Sequence, residues 1–439
     1  MTKIISVIVV AILALAVVTA GAIVLFGFPY EPNNPPTADD TGSTQSGIQQ
    51  VVDANNEFAF DLYSKLNSDS TQEGKNMFYS PYSISTALAM TYEGAKGKTA
   101  DEMKSVFHFP DDNILRPNSA AIYNEINKKD KSYELKTGNA LWVQQDYPFL
   151  QDYLDLVETY YGGKASNVDF RTETEKTRQT INTFIEEQTN HKIKDLIPKD
   201  VLKPTTRLVL TNAIYFKGTW EWEFDKSDTK DRDFKITPDN IIQTPTMYMD
   251  PDKAEFNYAS LDKLKILELP YKGDELSMLI LLPKQETFHN HRTGEEIVYD
   301  YSLEDIEISY EKLKEYKSEM KETDLEAIYI PKFEFDTKYM MKETLAAMGM
   351  PTAFGIQSDF SGMTLESQLF ISQVIHQAYV KVDEKGTEAA AATAVVMDMA
   401  SVGPTEPKIF KADHPFIFII QEKQTGNILF MGKVINPSA

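Results

Sequence analysis

The stretch DEKGTEAAAATAVVMDMASVGPTEP, residues 383–407, decides how the rest of the chain is read. Glu388 to Ala394 is helix-prone by composition, yet Gly386 precedes it and no amphipathic stripe runs through it. As a strand the pattern is orderly. Thr387, Ala389, Ala391, Thr393, Val395 and Met397 share one face, all small or apolar. Both acids, Glu388 and Asp398, fall on the other face with Ala390, Ala392, Ala394 and Val396. No proline occurs from Gly386 until Pro404, so every residue between keeps a ladder donor. Small side chains also slip between existing strands with little steric resistance. A segment that reads both as exposed loop and as buriable strand points to a switch. On composition alone, an ordinary alanine-rich surface loop stays open as the alternative.

Outward from that stretch, helical and strand signals alternate irregularly. Phe416 to Ile420 and Ile428 to Val434 flank a turn through Thr425-Gly426-Asn427 and read as a hairpin. Leu141-Trp142-Val143, Leu208 to Phe216 and Met278 to Leu282 are strand-like runs. Ser83, after Pro81, reads as the cap of a helix carrying Ile84, Ala87, Leu88 and Thr91 and stopping at Gly94. Thr99-Ala100-Asp101-Glu102 and Thr172-Glu173-Thr174-Glu175 read as capping boxes of two further helices, the second backed by Ile181, Phe184 and Ile185. Helices cluster early and strands thicken late, which is α+β rather than βαβ winding.

Composition removes several function classes. The 439 residues carry 44 Lys+Arg against 66 Asp+Glu, a net charge of −22, which is a poor basis for nucleic-acid binding. Hydrophobic residues at 42% are enough for a large core and exclude a disordered acidic solvator. With no cysteine, disulfides, thiolate metal sites, iron–sulfur clusters and cysteine nucleophiles all fall away.

Residues 1–28 read as a signal anchor or a signal peptide. Ile4 to Phe28 carries no charge, and as a helix would span about 38 Å, enough for a bilayer. Ala20-Gly21-Ala22 offers a small-residue cleavage site. Lys3, followed by Glu31, Asp39 and Asp40, favours an inside terminus and a body outside, so an extracytoplasmic location is expected, anchored or secreted. Residues 29–47 form a Pro/Asp/Ser-rich linker, and a single domain is expected over 48–439.

A family resemblance now enters. DEKGTEAAAATAVVMDMAS (383–401), Phe410-Lys411-Ala412-Asp413-His414-Pro415-Phe416 and LFMGKVINP (429–437) resemble the reactive-loop hinge, loop exit and carboxy end of serpins. NMFYSPYSISTALAM (76–90), GAKGKTADEM (94–103), NALWV (139–143) and LTNAIYFKGTWEWEF (210–224) resemble further segments of that family, in the right order. The resemblance implies a serpin-like α+β fold: about eight to nine helices around a large central mixed sheet, two further sheets, and an exposed reactive-centre loop over 384–407.

It also implies a serine protease inhibitor that acts as a suicide pseudosubstrate. The protease attacks the loop, and the acyl-enzyme is trapped when the loop inserts as an extra strand of the main sheet. Counting along the family's hinge places the reactive bond at Ala400–Ser401, with Met399–Ala400 as second choice. Small Ala400 suits elastase-like or subtilisin-like targets. The hinge is Glu384, Gly386, Thr387, Glu388, Ala389, Ala390, Ala391 and Ala392. Lys332 and Glu384 resemble the ion pair where the loop enters the sheet, and Trp220 the aromatic packed there. Ser80, Ser83, Asn212 and His376 resemble the buried polar cluster that lets central strands slide apart. The implied partner is a target protease in a covalent 1:1 complex with a monomer, without cofactor or metal. The other class kept in view is a non-inhibitory serpin-fold binding or chaperone-like protein. The hinge discriminates, and between Thr387 and Thr393 only Glu388 is charged, on the outward face.

Enzyme readings fare worse. Ser80 or Ser83 with His376 resembles part of a nucleophilic triad, but no Gly-x-Ser-x-Gly elbow frames either serine. His289-Asn290-His291 near Glu286, Glu295 and Glu296 has metal-ligating residue types, yet 286–302 is a polar stretch longer than the family usually has, and a solvated insertion is expected. Asn190, before His191, is expected to take a left-handed helix cap. His108 and His414 give no functional signal beyond position.

Overall fold

The computed structural model describes residues 37–128, 131–137, 140–163, 165–250, 254–289, 293–366, 369–387 and 408–439. The expected anchor (1–28), the first part of the linker, hinge residues Glu388, Ala389, Ala390, Ala391 and Ala392, and the bond at Met399, Ala400 and Ser401 lie outside the described residues, as does His291.

Among the described residues there are eight α-helices: α1 (Gln45–Asn67), α2 (Pro81–Tyr92), α3 (Gly97–Val106), α4 (Asp112–Ile126), α5 (Gln151–Tyr161), α6 (Thr174–Gln188), α7 (Tyr310–Ser318) and α8 (Lys342–Met348). The strands begin with β1 (Met77–Tyr79), β2 (Tyr133–Thr137), β3 (Ala140–Gln144), β4 (Ala165–Val168), β5 (Leu208–Thr219), β6 (Lys230–Thr237) and β7 (Asn240–Met249). Next come β8 (Glu255–Ser260), β9 (Leu264–Pro270), β10 (Leu276–Pro283), β11 (Gln285–His289), β12 (Glu296–Asp300) and β13 (Lys321–Asp324). The last are β14 (Ala327–Pro331), β15 (Phe333–Met340), β16 (Val374–Asp383), β17 (Gly386–Thr387), β18 (Ile409–Lys411), β19 (Phe416–Glu422) and β20 (Ile428–Val434).

The main sheet runs β15-β16-β17-β5-β3-β4, with β2 also pairing β5. A second large sheet runs β1-β20-β19-β10-β9-β8-β13, and a third β18-β14-β7-β6. One large sheet and two others were expected; the structure adds a two-stranded ribbon, β11-β12.

β5 shows why the main sheet is sandwiched. Leu208 to Phe216 is buried without interruption, the signature of a strand covered on both faces. Its residues divide by parity. Leu208 and Leu210 join the helical core with Leu88 and Val374, while Val209, Ala213 and Tyr215 join Ile181 and Ile185 of α6. Farther along, Ile214 and Phe216 pack with Phe430 and Phe418 of the second sheet. The carboxy-terminal hairpin forms as read, with β19 and β20 buried along nearly their whole length.

Local start signals shift. α2 is capped by Ser80, whose Oγ accepts from Ser83 N at 3.1 Å, rather than by Ser83. Proline at the first helical position has no amide to leave unsatisfied and a φ already set for the helix, so the helix starts three residues earlier. α3 opens at Gly97, before the predicted box, because the Thr99 hydroxyl accepts from Asp359 N and is not a cap. At α6 the Thr172 hydroxyl is bound to Asp169, so that box is not made either. Asn190 and His191 both adopt left-handed φ, 51° and 59°. The carboxy end of the predicted linker packs on the body: Ala38 is buried, Asp39 N donates to Thr159 O, and α1 already runs from Gln45.

Candidate functional site: the head of the main sheet and the cluster beneath it

β5 and β16 lie side by side, parallel, from Leu210↔Val374 to Tyr215↔Tyr379. Above that register they part. The chain leaves Asp383, turns through Glu384 and Lys385, and returns between them as β17. Gly386 pairs with Asp383 on one side and Thr219 on the other; Thr387 pairs with Val382 and Gly218. Two residues of the hinge, Gly386 and Thr387, are thus already seated as the start of a strand between β5 and β16. Thr387, first on the inward parity, is buried, as the alternation predicted.

Two glycines make room for this. Gly386 has φ +153°, and a Cβ there would lie 1.9 Å from the Gly218 carbonyl oxygen and 2.8 Å from Thr219 Cα. At Gly218 a Cβ would sit 2.7 Å from the rings of Phe216 and Tyr271. A glycine inside a strand marks close backbone approach, and here two strands supply it to one another.

Trp220 is buried and stacked on Tyr271, centroids 4.6 Å apart and planes 13° from parallel. Its indole Nε1 donates to Asp383 O at 3.1 Å, and its backbone N to Lys385 O at 2.7 Å. Tyr271 and Thr387 share a 2.6 Å hydroxyl–hydroxyl bond. Lys332 donates to both Glu384 carboxylate oxygens, at 2.9 and 2.8 Å, and Thr229 Oγ1 donates to one of them at 2.9 Å. Burial opposes ionisation of Glu384, but the Lys332 ammonium and the Thr229 hydroxyl hold its carboxyl below the usual range. The turn is therefore held by indole, backbone and ion pair together. Lys332, Trp220, Glu384, Gly386 and Thr387 are brought together here; Tyr271, Thr229 and Gly218 were not anticipated. Gly218 lies just past the strand read from the sequence, which the structure extends to Thr219; Tyr271, just after β9, and Thr229, just before β6, come from distant parts of the chain and carried no signal.

Lower in the same seam, Ser80, Ser83, Asn212 and His376 meet. Asn212 and His376 face each other in the β5–β16 register. Ser80 N donates to His376 Nε2 at 3.1 Å, so the ring proton sits on Nδ1, which donates to Asn212 Oδ1. Asn212 Nδ2 donates to Ser83 Oγ at 2.7 Å, and Ser80 Oγ to Leu429 O at 2.6 Å. Burial pushes the His376 pKa down to about 3, keeping the imidazole neutral. The Ser80 hydroxyl is committed to Leu429 O and meets the imidazole only through its backbone amide. That geometry does not make a nucleophile–base pair. Its chemical capacity is to satisfy buried polar atoms in the seam between β5 and β16.

The remaining histidines go elsewhere. His289 is exposed on β11, and Glu286 beside it is engaged by Lys265. His108 pairs with Asp61 at 2.8 Å. His414, buried, bonds Pro283 O at 2.7 Å and Asp413 at 2.9 Å, fastening the chain just after β18 to the second sheet.

Comparison with known proteins follows the same lines. The family profile described as Serpin (serine protease inhibitor) matches residues 53–437. An uncharacterized serpin-like protein of Methanosarcina acetivorans is 42% identical over 390 residues, 88% of each chain. Leukocyte elastase inhibitor A of Rattus norvegicus is 40% identical over 394 residues, covering 89% of this chain and all of that one. The crystal structure of uncleaved ovalbumin superimposes with a TM-score of 0.74 at 31% identity, covering 88% of this chain and 100% of that one. Fold, motifs and relatives agree, and the chain belongs to the serpin family.

Proposed function

We propose that this serpin inhibits elastase-like or subtilisin-like serine proteases, as a pseudosubstrate and not as a catalyst. The protease attacks the loop at about Ala400–Ser401, and the acyl-enzyme is trapped when residues after Thr387 continue β17 down the sheet. The observation that carries this reading is β17 itself, a strand begun between β5 and β16 at the hinge. Each further residue exchanges one β5–β16 pairing for two new ones. About 12 net ladder bonds at roughly 1 kcal/mol each, with burial of Val395 and Met397, release on the order of 10 kcal/mol. Drawing the bound protease away from its relaxed geometry weakens the oxyanion hole, at about 3–4 kcal/mol per lost donor, and deacylation stalls. Similarity to a leukocyte elastase inhibitor agrees with the small residue at the reactive bond.

Incubation with an elastase and with a subtilisin-like enzyme, followed by a denaturing gel, tests the proposal. A persistent adduct of inhibitor plus protease, and a cut after Ala400, is the expected result. Clean cleavage with no adduct would favour the non-inhibitory reading.

The amino-terminal proposal is separate: residues 1–28 direct the body out of the cytoplasm. Among the described residues, no helix is long and apolar enough to cross a membrane. Fractionation of cells producing the full chain reads the location directly, and a body found in the cytosol would reject export.

A further inference from the structure

Among the described residues, the β11–β12 ribbon lies outside the three larger sheets, its strands pairing with each other. A two-stranded ribbon is marginal in water unless its base is held. Here the base is held at the place where the reactive loop rejoins the body. Lys265, nearly buried, contacts Glu286 of β11 and donates 3.0 Å to the carbonyl of Ile409, the first residue of β18. Lys284 N donates to Lys263 O at 2.9 Å, Tyr301 N to Lys284 O at 2.8 Å, and the Lys284 ammonium lies 4.9 Å over the Tyr299 ring.

Beyond that base the ribbon projects bare. Ile297 and Val298 are 43% and 63% exposed, and as neighbours on one strand they point to opposite faces. Glu295, Glu296 and Asp300 are exposed alongside them. From 285 to 307 the chain has seven carboxylates and one arginine, about twice the acidic density of the chain as a whole. Exposed apolar side chains invite a partner, and the net negative charge repels a second copy of this acidic chain. The fitting partner is cationic.

We propose that the β11–β12 ribbon is a docking surface for the target protease, met by cationic and apolar side chains on the primed side of the enzyme's cleft. This rests on the inhibitory reading above. The chain on the primed side of the Ala400–Ser401 bond runs to Ile409, at most about 30 Å even fully extended. A protease of about 230 residues is about 45 Å across, so an enzyme seated on the bond is large enough to reach the ribbon. The contact is also transient by construction. Insertion carries the acylated side of the loop down the sheet, while Ile409 and the ribbon stay behind. The ribbon therefore governs how fast the encounter forms and contributes nothing to the trapped complex.

The test is a charge reversal, E295K/E296K, with V298S as a second variant; neither touches the hinge or the main sheet. The rate of covalent complex formation is measured with a strongly basic elastase and with an elastase-like enzyme of near-neutral charge. With the basic enzyme at about 50 mM salt, E295K/E296K is expected to be about tenfold slower, the gap closing toward about 0.5 M salt. With the near-neutral enzyme it changes less than twofold. V298S is slower with both enzymes at every salt concentration, and adduct yield per inhibitor is unchanged throughout. Equal rates for all variants overturn the proposal, and so does a rate loss matched by a loss of adduct yield, which marks an insertion defect. Should the parent protein form no adduct with either enzyme, the inhibitory reading fails by itself. Binding of the basic elastase with its catalytic serine changed to alanine then decides the ribbon: weaker binding by E295K/E296K supports it, and equal binding overturns it.

Discussion

If the protein inhibits as proposed, replacing Gly386 by alanine should convert it largely into a substrate, and the structure sets the size of the effect. The new Cβ would stand 1.9 Å from the Gly218 carbonyl oxygen, so backbone must yield by about an ångström against a strand locked on both sides. Overpacking of that kind costs about 1–3 kcal/mol, and an alanine held at φ +153° adds roughly another 1 kcal/mol or more. About 3 kcal/mol in total shifts the seated hinge by roughly a hundredfold toward an expelled one. The conflict does not lift after cleavage, because residue 386 stays at the head of the inserting strand. Insertion races against deacylation, so a loss of this size on the insertion barrier sends most acyl-enzyme on to cleaved product. Two assays read it. Hydrogen exchange of the peptide containing 384–387 should quicken, and moles of inhibitor consumed per mole of elastase should rise severalfold. Unchanged exchange together with unchanged stoichiometry would refute the claim that Gly386 and Thr387 already sit in the sheet.

Other consequences are smaller or more specific. Tyr271→Phe keeps the stack on Trp220 and removes the 2.6 Å bond to Thr387, so hinge exchange should quicken about fivefold, near 1 kcal/mol; no change would mean that the hydroxyl does not hold the hinge. Ala400→Arg should redirect trapping to trypsin-like enzymes, and an unaltered preference between trypsin and elastase would misplace the bond. The Glu384 carboxyl is held low, so its stabilising contribution is present above the ordinary carboxylate pKa and is lost as pH falls through the folded value; Lys332→Met should flatten that acid dependence of hinge exchange. His376 is depressed to about 3, so protonation favours the unfolded state from about pH 6.5 downward, by up to about 5 kcal/mol once both forms are protonated. His376→Gln should remove that part of the acid slope in chemical denaturation, and an identical slope would contradict the neutral, buried assignment.

How much of this was legible in the sequence depends on whether the signal was local. The inward parity of residues 387–397 is a period-two pattern, and Thr387 was placed correctly by it. Leu208 to Phe216 and the carboxy-terminal hairpin were equally plain because a buried strand writes itself as an apolar run. Helix starts were less so. Serine and threonine hydroxyls at Ser83 and Thr99 serve partners far along the chain, Asn212 and Asp359, and local capping rules do not see those partners. Tyr271 and Thr229 lie beyond reach for the same reason: each meets the hinge from more than 100 residues away in sequence. The polar stretch at 286–302 was read as a solvated insertion; that it folds as a ribbon fastened to Ile409 depends on Lys265, a residue with no local signature.

The central claim is that the native protein stores free energy which the cut loop releases. Scanning calorimetry of the intact protein and of protein nicked at the loop, under identical buffer, tests it most directly. The account predicts a nicked form that melts well above the intact one, since a gain on the order of 10 kcal/mol in a chain of this size corresponds to roughly 10 °C. A nicked form melting at or below the intact temperature would contradict it.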